Sequence, residues 1–212
     1  MFKELKEKER QARQALIMDV TEKLFQEEGY DSVTIRHVAE KIDVSAGTIY
    51  TYFGSKEELI VCILIRNIKK LEKEIDKSLK LEDPVKVLTA MAKNYADYYI
   101  RFGRYVNIMD IITMVENGDS PVAVEVIEQL KDAVMAILDK IAKKINEDKS
   151  FKSLIKGIPI ERAAAAMWAI VHGISYIALP LEKGTGKGWF NFDQILSDVI
   201  HLLLTKGKSG AR

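Results

Sequence analysis

Apolar residues along this chain recur at helical spacing almost from end to end, and no segment alternates as a strand would. Leu16, Ile17, Val20, Leu24 and Phe25 share one face of a first helix, which Gly29 ends in a left-handed conformation. A short helix follows from Thr34, turning Ile35, Val38, Ala39 and Ile42 inward. Asp43-Val44 forms a tight corner, and Ser45 caps a second short helix that runs to about Phe53. Ser55-Lys56-Glu57-Glu58 reads as a capping box opening a long helix through Leu59, Ile63, Ile68 and Leu71 toward Leu79. Further helices are expected at about 84–101, 104–116 and 120–145, the last opening on Ser120-Pro121. Residues 146–159 read as polar and irregular. A very apolar helix spans about 160–179 and stops before Pro180. A glycine-rich loop at 183–188 precedes a last helix at about 191–205, and residues 207–212 form a mobile tail. The expected fold is therefore all-α.

The segment 34–53 has a particular character. Val38, Ile42, Val44, Ile49 and Phe53 can share a core with Leu24 and Phe25. That leaves Ser45, Ala46, Gly47, Thr48, Thr51 and Tyr52 on an uncommitted outer face of short or hydrogen-bonding side chains. Such a helix fits a DNA major groove roughly 12 Å wide. A plain helical hairpin with a solvated outer face has the same local pattern, because a hairpin does not by itself decide function.

Residues 44–59, VSAGTIYTYFGSKEEL, separate the two readings. They resemble the signature of the TetR family of bacterial regulators, V-S-x-G-x-[IL]-Y-x-[YH]-F-x-[SN]-K-x-x-L. Gly29-Tyr30, Thr34-Ile35 and Val38-Ala39 match its upstream pattern, so the similarity covers about residues 10–70. One departure stands at the corner, where the family usually has glycine and this chain has Asp43; Asp tolerates the left-handed region better than most residues. The resemblance implies an all-α subunit of about nine helices. Residues 1–56 would form the DNA-binding domain, with the helix-turn-helix at 34–53, and 57–206 an effector-binding and dimerisation domain.

Carried over by position, the recognition helix is about Ala46–Tyr52. Ala46, Gly47, Thr48 and Thr51 would face base edges, with Ser45 at its start. Thr34 and Arg36 open the preceding helix, and Arg36 would reach a base or a phosphate. Tyr50, Tyr52 and Lys56 would grip phosphates, although core packing for Tyr50 and plain solvation for Lys56 are the competing readings.

The resemblance also implies an effector cavity in the C-terminal domain. Met91, Tyr95, Tyr98, Tyr99, Phe102, Met109, Met114, Trp168, His172 and Tyr176 are its candidate lining, for a bulky, mainly apolar small molecule. Met and aromatic residues at helical spacing are also ordinary core. The stretch from Ala163 to Leu181 has no Asp, Glu, Lys or Arg. A helix buried between its own subunit and a partner explains it better than a membrane span. The expected dimer interface comprises Ala163, Ala166, Ile170, Ile174, Ile195, Leu196, Val199 and Leu203. A two-fold dimer would set two recognition helices on a palindrome, and an effector that shifts the fourth helix would change their spacing.

Charge contributes nothing to this reading. The 212 residues carry a formal net charge of +1, and residues 1–56 hold nine Lys or Arg against ten Asp or Glu. Lys3, Lys6, Lys8, Arg10 and Arg13 admit two readings: an arm over the DNA backbone, or a solvated helical face with i,i+4 pairs. The single cysteine, Cys62, excludes an intrachain disulfide, and residues 1–13 have no apolar signal core; both favour the cytoplasm. His37, His172 and His201 are scattered, so no metal is expected, nor any cofactor. Gly184 to Gly188 lacks the spacing of a phosphate loop, and no nucleophile–base set points to an enzyme. The expectation is a ligand-responsive repressor acting as a homodimer on operator DNA. An activator or global DNA-binding protein, and a helical ligand-binding protein without DNA binding, are the alternatives.

Overall fold

The first helix, α1 (Phe2–Glu28), begins earlier than its apolar stripe, because residues 2–13 are strong helix formers joined by pairs one turn apart. Arg13 donates to Glu9 at 2.7 Å and Gln11 to Glu7 at 3.0 Å. Its buried face comprises Ile17, Thr21, Leu24 and Phe25. Leu16 lies at the edge of that face and is exposed, contrary to the inward position expected for it. The computed structural model describes residues 1–29, 32–103, 120–155, 157–184 and 191–205. The chain divides into two compact units, Met1–Arg66 with Tyr105–Lys131 and Asn67–Arg104 with Asp132–Arg212.

In the first unit, α2 (Ile35–Lys41) and α3 (Ala46–Tyr50) follow α1, and α4 (Lys56–Ser78) begins. Gly29 closes α1 at φ 85° and ψ 161°. That is an extended positive-φ conformation open to glycine, rather than the left-handed helical one expected. The α2–α3 corner does hold Asp43 in the left-handed region, at φ 56°. Val44 there is exposed rather than packed in the shared core. Ile35, Val38, Ala39, Ile49 and Phe53 are buried, and Ile49 is 0% exposed. Arg66 on α4 ties back to α1, reaching Asp19 at 2.6 Å and Glu22 at 2.5 Å. Ser55 caps α4 by accepting from the Glu58 backbone N–H at 2.9 Å, and its hydroxyl donates to the Pro121 carbonyl at 3.0 Å.

Cys62 faces inward on α4, and burial pushes its thiol up to about 11. Thiolate is the reactive species, so a chromogenic disulfide reagent at pH 8 should modify native Cys62 roughly 100-fold more slowly than the unfolded chain. Equal rates would mean that the thiol is accessible in the folded state.

The second unit is built from the rest of α4, α5 (Pro84–Tyr98), α6 (Val124–Glu147) from its midpoint on, α7 (Lys149–Leu154), α8 (Ile160–Gly184) and α9 (Phe192–Thr205). Asp83 caps α5 through the Lys86 N–H at 2.8 Å, and a π-helical turn, Tyr99–Gly103, continues it. Ala92 and Ala96 of α5, Ile174 and Ala178 of α8, and Phe192, Leu196 and Ile200 of α9 form one core cluster. Lys140 on α6 bridges to Glu72 at 2.7 Å and Asp76 at 2.6 Å on α4. All described elements are helical, without strands among the described residues.

Three boundaries differ from expectation. α6 starts at Val124, not at Ser120-Pro121, because Ser120 Oγ accepts from the Val122 N–H at 3.2 Å and turns the chain first. Asp148 caps the unforeseen α7 through the Ser150 N–H at 2.9 Å. α8 passes through Pro180 to Gly184. Pro180 removes the bond to the Tyr176 carbonyl, and Tyr176 is exposed, so water can replace that bond. The expected helix at 104–116, the glycine-rich loop beyond Gly184 and the tail 207–212 lie outside the described residues.

Candidate DNA-binding surface and effector region

The DNA-binding candidates lie together around α2 and α3. Thr34 caps α2 by accepting from the His37 N–H at 3.1 Å. Arg36 is exposed on the first turn of α2, 3.8 Å from Glu40. Ser45 caps α3 by accepting from the Thr48 N–H at 3.1 Å, and its hydroxyl lies 2.9 Å from that of Thr48. Thr51 donates its hydroxyl to the Thr48 carbonyl at 2.7 Å.

These three hydroxyls hold the helix end together, so the outer face is less uncommitted than its composition implies. The regular helix ends at Tyr50 instead of continuing to Tyr52 or Phe53. Gly47 is exposed, while Ala46, Thr48, Tyr52 and Lys56 are half-buried. Tyr50 is 52% exposed, which excludes the core reading for it. Buried Ile49 and Phe53 anchor this short helix from behind, so its outer face needs no apolar residue.

Three of the bases read as either an arm over DNA or a solvated face, Lys6, Arg10 and Arg13, stand beside this site. Lys6, Glu9, Arg10 and Arg13 of α1 face Thr51 and Tyr52 across an open cleft of about 350 Å³. Gln14 reaches the Tyr52 carbonyl at 3.5 Å, and Arg13 donates to Glu9 at 2.7 Å beside Tyr52. The signal for this was in the sequence: Lys3, Lys6, Arg10 and Arg13 recur at steps of three, four and three, which a helix gathers on one face.

This segment is similar to known proteins. The sequence profile of the bacterial regulatory proteins of the tetR family matches residues 17–62, which contain α2, α3 and their corner. Over those residues the chain is similar to the TetR family. The helix-turn-helix repressor KstR of Mycolicibacterium smegmatis is 36% identical over 75 residues, 35% of this chain and 37% of that protein. The chain thus matches about a third of the length of such curated relatives.

Over the longer span only the fold is shared. A putative transcriptional regulator from Saccharomonospora viridis, solved in complex with choline, superposes with a TM-score of 0.65 at 18% identity, covering 90% of this chain and 96% of that one. FadR from Bacillus subtilis, solved with stearoyl-CoA, gives 0.62 at 16% identity, covering 93% and 99%.

In the second unit the effector candidates fall into two groups. Around His172 stand Tyr95, Tyr99, Trp168 and Tyr176, with ring centroids 5.9 to 6.4 Å from the imidazole. The Tyr95 hydroxyl lies 2.7 Å from His172 Nδ1.

Burial pushes the Tyr95 phenol up to about 12 and lowers the His172 pKa. Protonation of His172 therefore favours the unfolded chain. Its contribution to stability is complete above about pH 6.5 and is lost as pH falls below that value. In an NMR titration the His172 imidazole should titrate below about 6.5; a higher value would show a solvated ring.

The second group, Tyr98 and Phe102, lines a separate pocket of about 440 Å³ with Asn67, Lys70, Leu71, Glu74, Asn94, Asp97 and Arg101. The Tyr98 hydroxyl is buried without a hydrogen-bond partner among the described residues. Met91 is buried. Met109 and Met114 lie outside the described residues.

The expected dimer set is divided by the fold. Ala163, Ile174 and Leu196 are buried within the subunit, and Ile174 and Leu196 belong to the cluster that α8 and α9 form with α5. Ile170, Ile195 and Val199 are half-buried against that core, and Ala166 is exposed. The side chain of Leu203 lies outside the described residues. Apolar surface is instead left open at Tyr176, Ile177 and Leu202. Ile160–Leu181 is long and apolar enough to cross a membrane by length and composition, with 22% of it buried in the subunit.

Proposed function

We propose that this chain is a cytoplasmic, ligand-responsive transcriptional regulator that binds a palindromic operator as a homodimer and leaves it when a small molecule binds the second unit. The observation that carries the reading is α3: a short helix anchored by Ile49 and Phe53, its outer face built from Ala46, Gly47, Thr48 and Tyr50, inside the segment that matches the family profile. Ala46, Gly47 and Thr48 place no large side chain between the helix and a groove floor. Tyr50, Tyr52 and Lys56 take the backbone phosphates, and Arg36 is the single guanine-reading type on this surface. Few bidentate base readers means that DNA shape carries much of the discrimination. Repression is favoured by relatives such as KstR, a transcriptional repressor.

The 440 Å³ pocket lined by Tyr98 and Phe102 supports an effector site there, since it joins an apolar wall to polar and charged groups. Phe102 and Leu71 suit an apolar body, while Lys70 and Arg101 suit a polar end. The open apolar residues of α8 and α9 favour a second copy as their cover. The deciding experiment is selection of bound sequences from random DNA by the full chain, repeated with candidate effectors. Enrichment of one palindrome, lost when an amphiphilic compound is added, is expected. No enriched sequence would overturn the reading, and thermal stabilisation by small, highly polar compounds alone would overturn the pocket assignment.

A further inference from the structure

The basic stripe of α1 is not used by the helix-turn-helix, yet it stands beside it. Lys6, Arg10 and Arg13 share one face of a continuous helix and open, with Thr51 and Tyr52, into the same cleft. In the linear sequence the bases are cancelled by interleaved acids. The helix undoes that cancellation: Glu4 and Glu7 fall on a neighbouring face, where Glu7 accepts from Gln11 at 3.0 Å. Glu9 is the one carboxylate in the cleft, held by Arg13 at 2.7 Å. Tyr52 lines the same cleft, and its phenol is a donor that suits a phosphate oxygen. From Lys6 to Arg13 the helix rises about 10 Å, the axial length of about three phosphates of one DNA strand.

We propose that this face of α1 is a phosphate rail, in which Lys6, Arg10, Arg13 and Tyr52 hold the operator backbone flanking the groove that α3 enters. The proposal rests on the reading of the chain as a DNA-binding regulator and adds a contact set outside the helix-turn-helix. These contacts carry no base information, so they raise affinity for all duplexes alike. Glu9 tempers the rail. It neutralises Arg13 in the free protein and sets a carboxylate against incoming phosphates.

The test uses the full-length protein and the operator duplex found by selection, with binding measured between 50 and 200 mM salt. The double variant Lys6→Gln, Arg10→Gln should bind operator and unrelated DNA at least about tenfold more weakly, and its salt slope should fall by about two per half-site. The charge-preserving pair Lys6→Arg, Arg10→Lys should keep the wild-type slope. Glu9→Gln should bind several-fold more tightly, an outcome that damage to the fold cannot mimic. An unchanged slope in the double variant, or no tightening in Glu9→Gln, overturns the rail while operator binding by the wild type leaves the regulator reading intact. Failure of the wild type to select any sequence overturns both.

Discussion

Replacing Gly47 with Glu is expected to cut operator affinity by about 100-fold or more while leaving the fold intact. Gly47 is exposed on α3, and a Cβ built there meets Ser45 Oγ at 3.6 Å, an ordinary contact. Any side chain there removes a glycine from a helix interior, which favours folding by roughly 0.5–1 kcal/mol. The penalty therefore falls on the complex alone. A carboxylate on the face turned to the groove meets phosphates, and like-charge juxtaposition costs several kcal/mol. Fluorescence anisotropy with a labelled operator duplex measures the loss, and thermal unfolding checks the fold. Gly47→Gln separates bulk from charge: it should bind more tightly than the Glu variant. Wild-type affinity in the Glu variant would mean that this face of α3 does not meet DNA.

The second large effect is on stability. Ile49→Ala should destabilise the first unit by about 2–4 kcal/mol. Ile49 is 0% exposed, and α3 is only five residues long, too short to be helical without support from behind. Truncation leaves a cavity at the point where α3 rests on its neighbours, and the helix preference of Ala returns only a few tenths of a kcal/mol. Urea denaturation should show a lower midpoint with an unchanged slope. Operator affinity should fall as well, because the outer face of α3 is held in place by this one side chain and Phe53. A loss below about 1 kcal/mol would show that the neighbouring side chains close over the site.

The two variants probe opposite faces of one short helix, and those faces differ in how readable they were. The inward residues were legible because burial imposes a period. Val38, Ile49 and Phe53 sit where helical spacing puts them. Asp43 was legible because the corner requires a positive φ and few residues accept one. The Ser45 and Ser55 caps were legible because an N-terminal helix end must satisfy its free N–H groups locally.

Other features were hidden because they depend on partners distant in sequence. Leu16 and Val44 have the right type for the core but no place in it. The continuation of α8 past Pro180 depends on whether the orphaned carbonyl meets water, which spacing along one helix cannot tell. The aromatic residues of α5 were read as a single lining. The fold instead divides them between a cluster about His172 and a separate pocket at Tyr98 and Phe102. The dimer set contained three residues that the subunit keeps for itself, because an apolar stripe looks the same whether it meets its own core or a second copy.

By itself, then, the sequence determined the helical class, the position of the helix-turn-helix and the identity of its caps and corner. Each rests on interactions between residues within a few positions of one another, where backbone geometry leaves little choice. Only the tertiary structure decided which apolar faces stay open, where the pocket lined by Tyr98 and Phe102 lies, and that Lys6, Arg10 and Arg13 stand beside Tyr52. Those depend on residues brought together from opposite ends of helices or from different helices. The net charge of residues 1–56 gave no sign of the last of them, because charge summed along a chain has no direction, whereas a helix gives each charge a face.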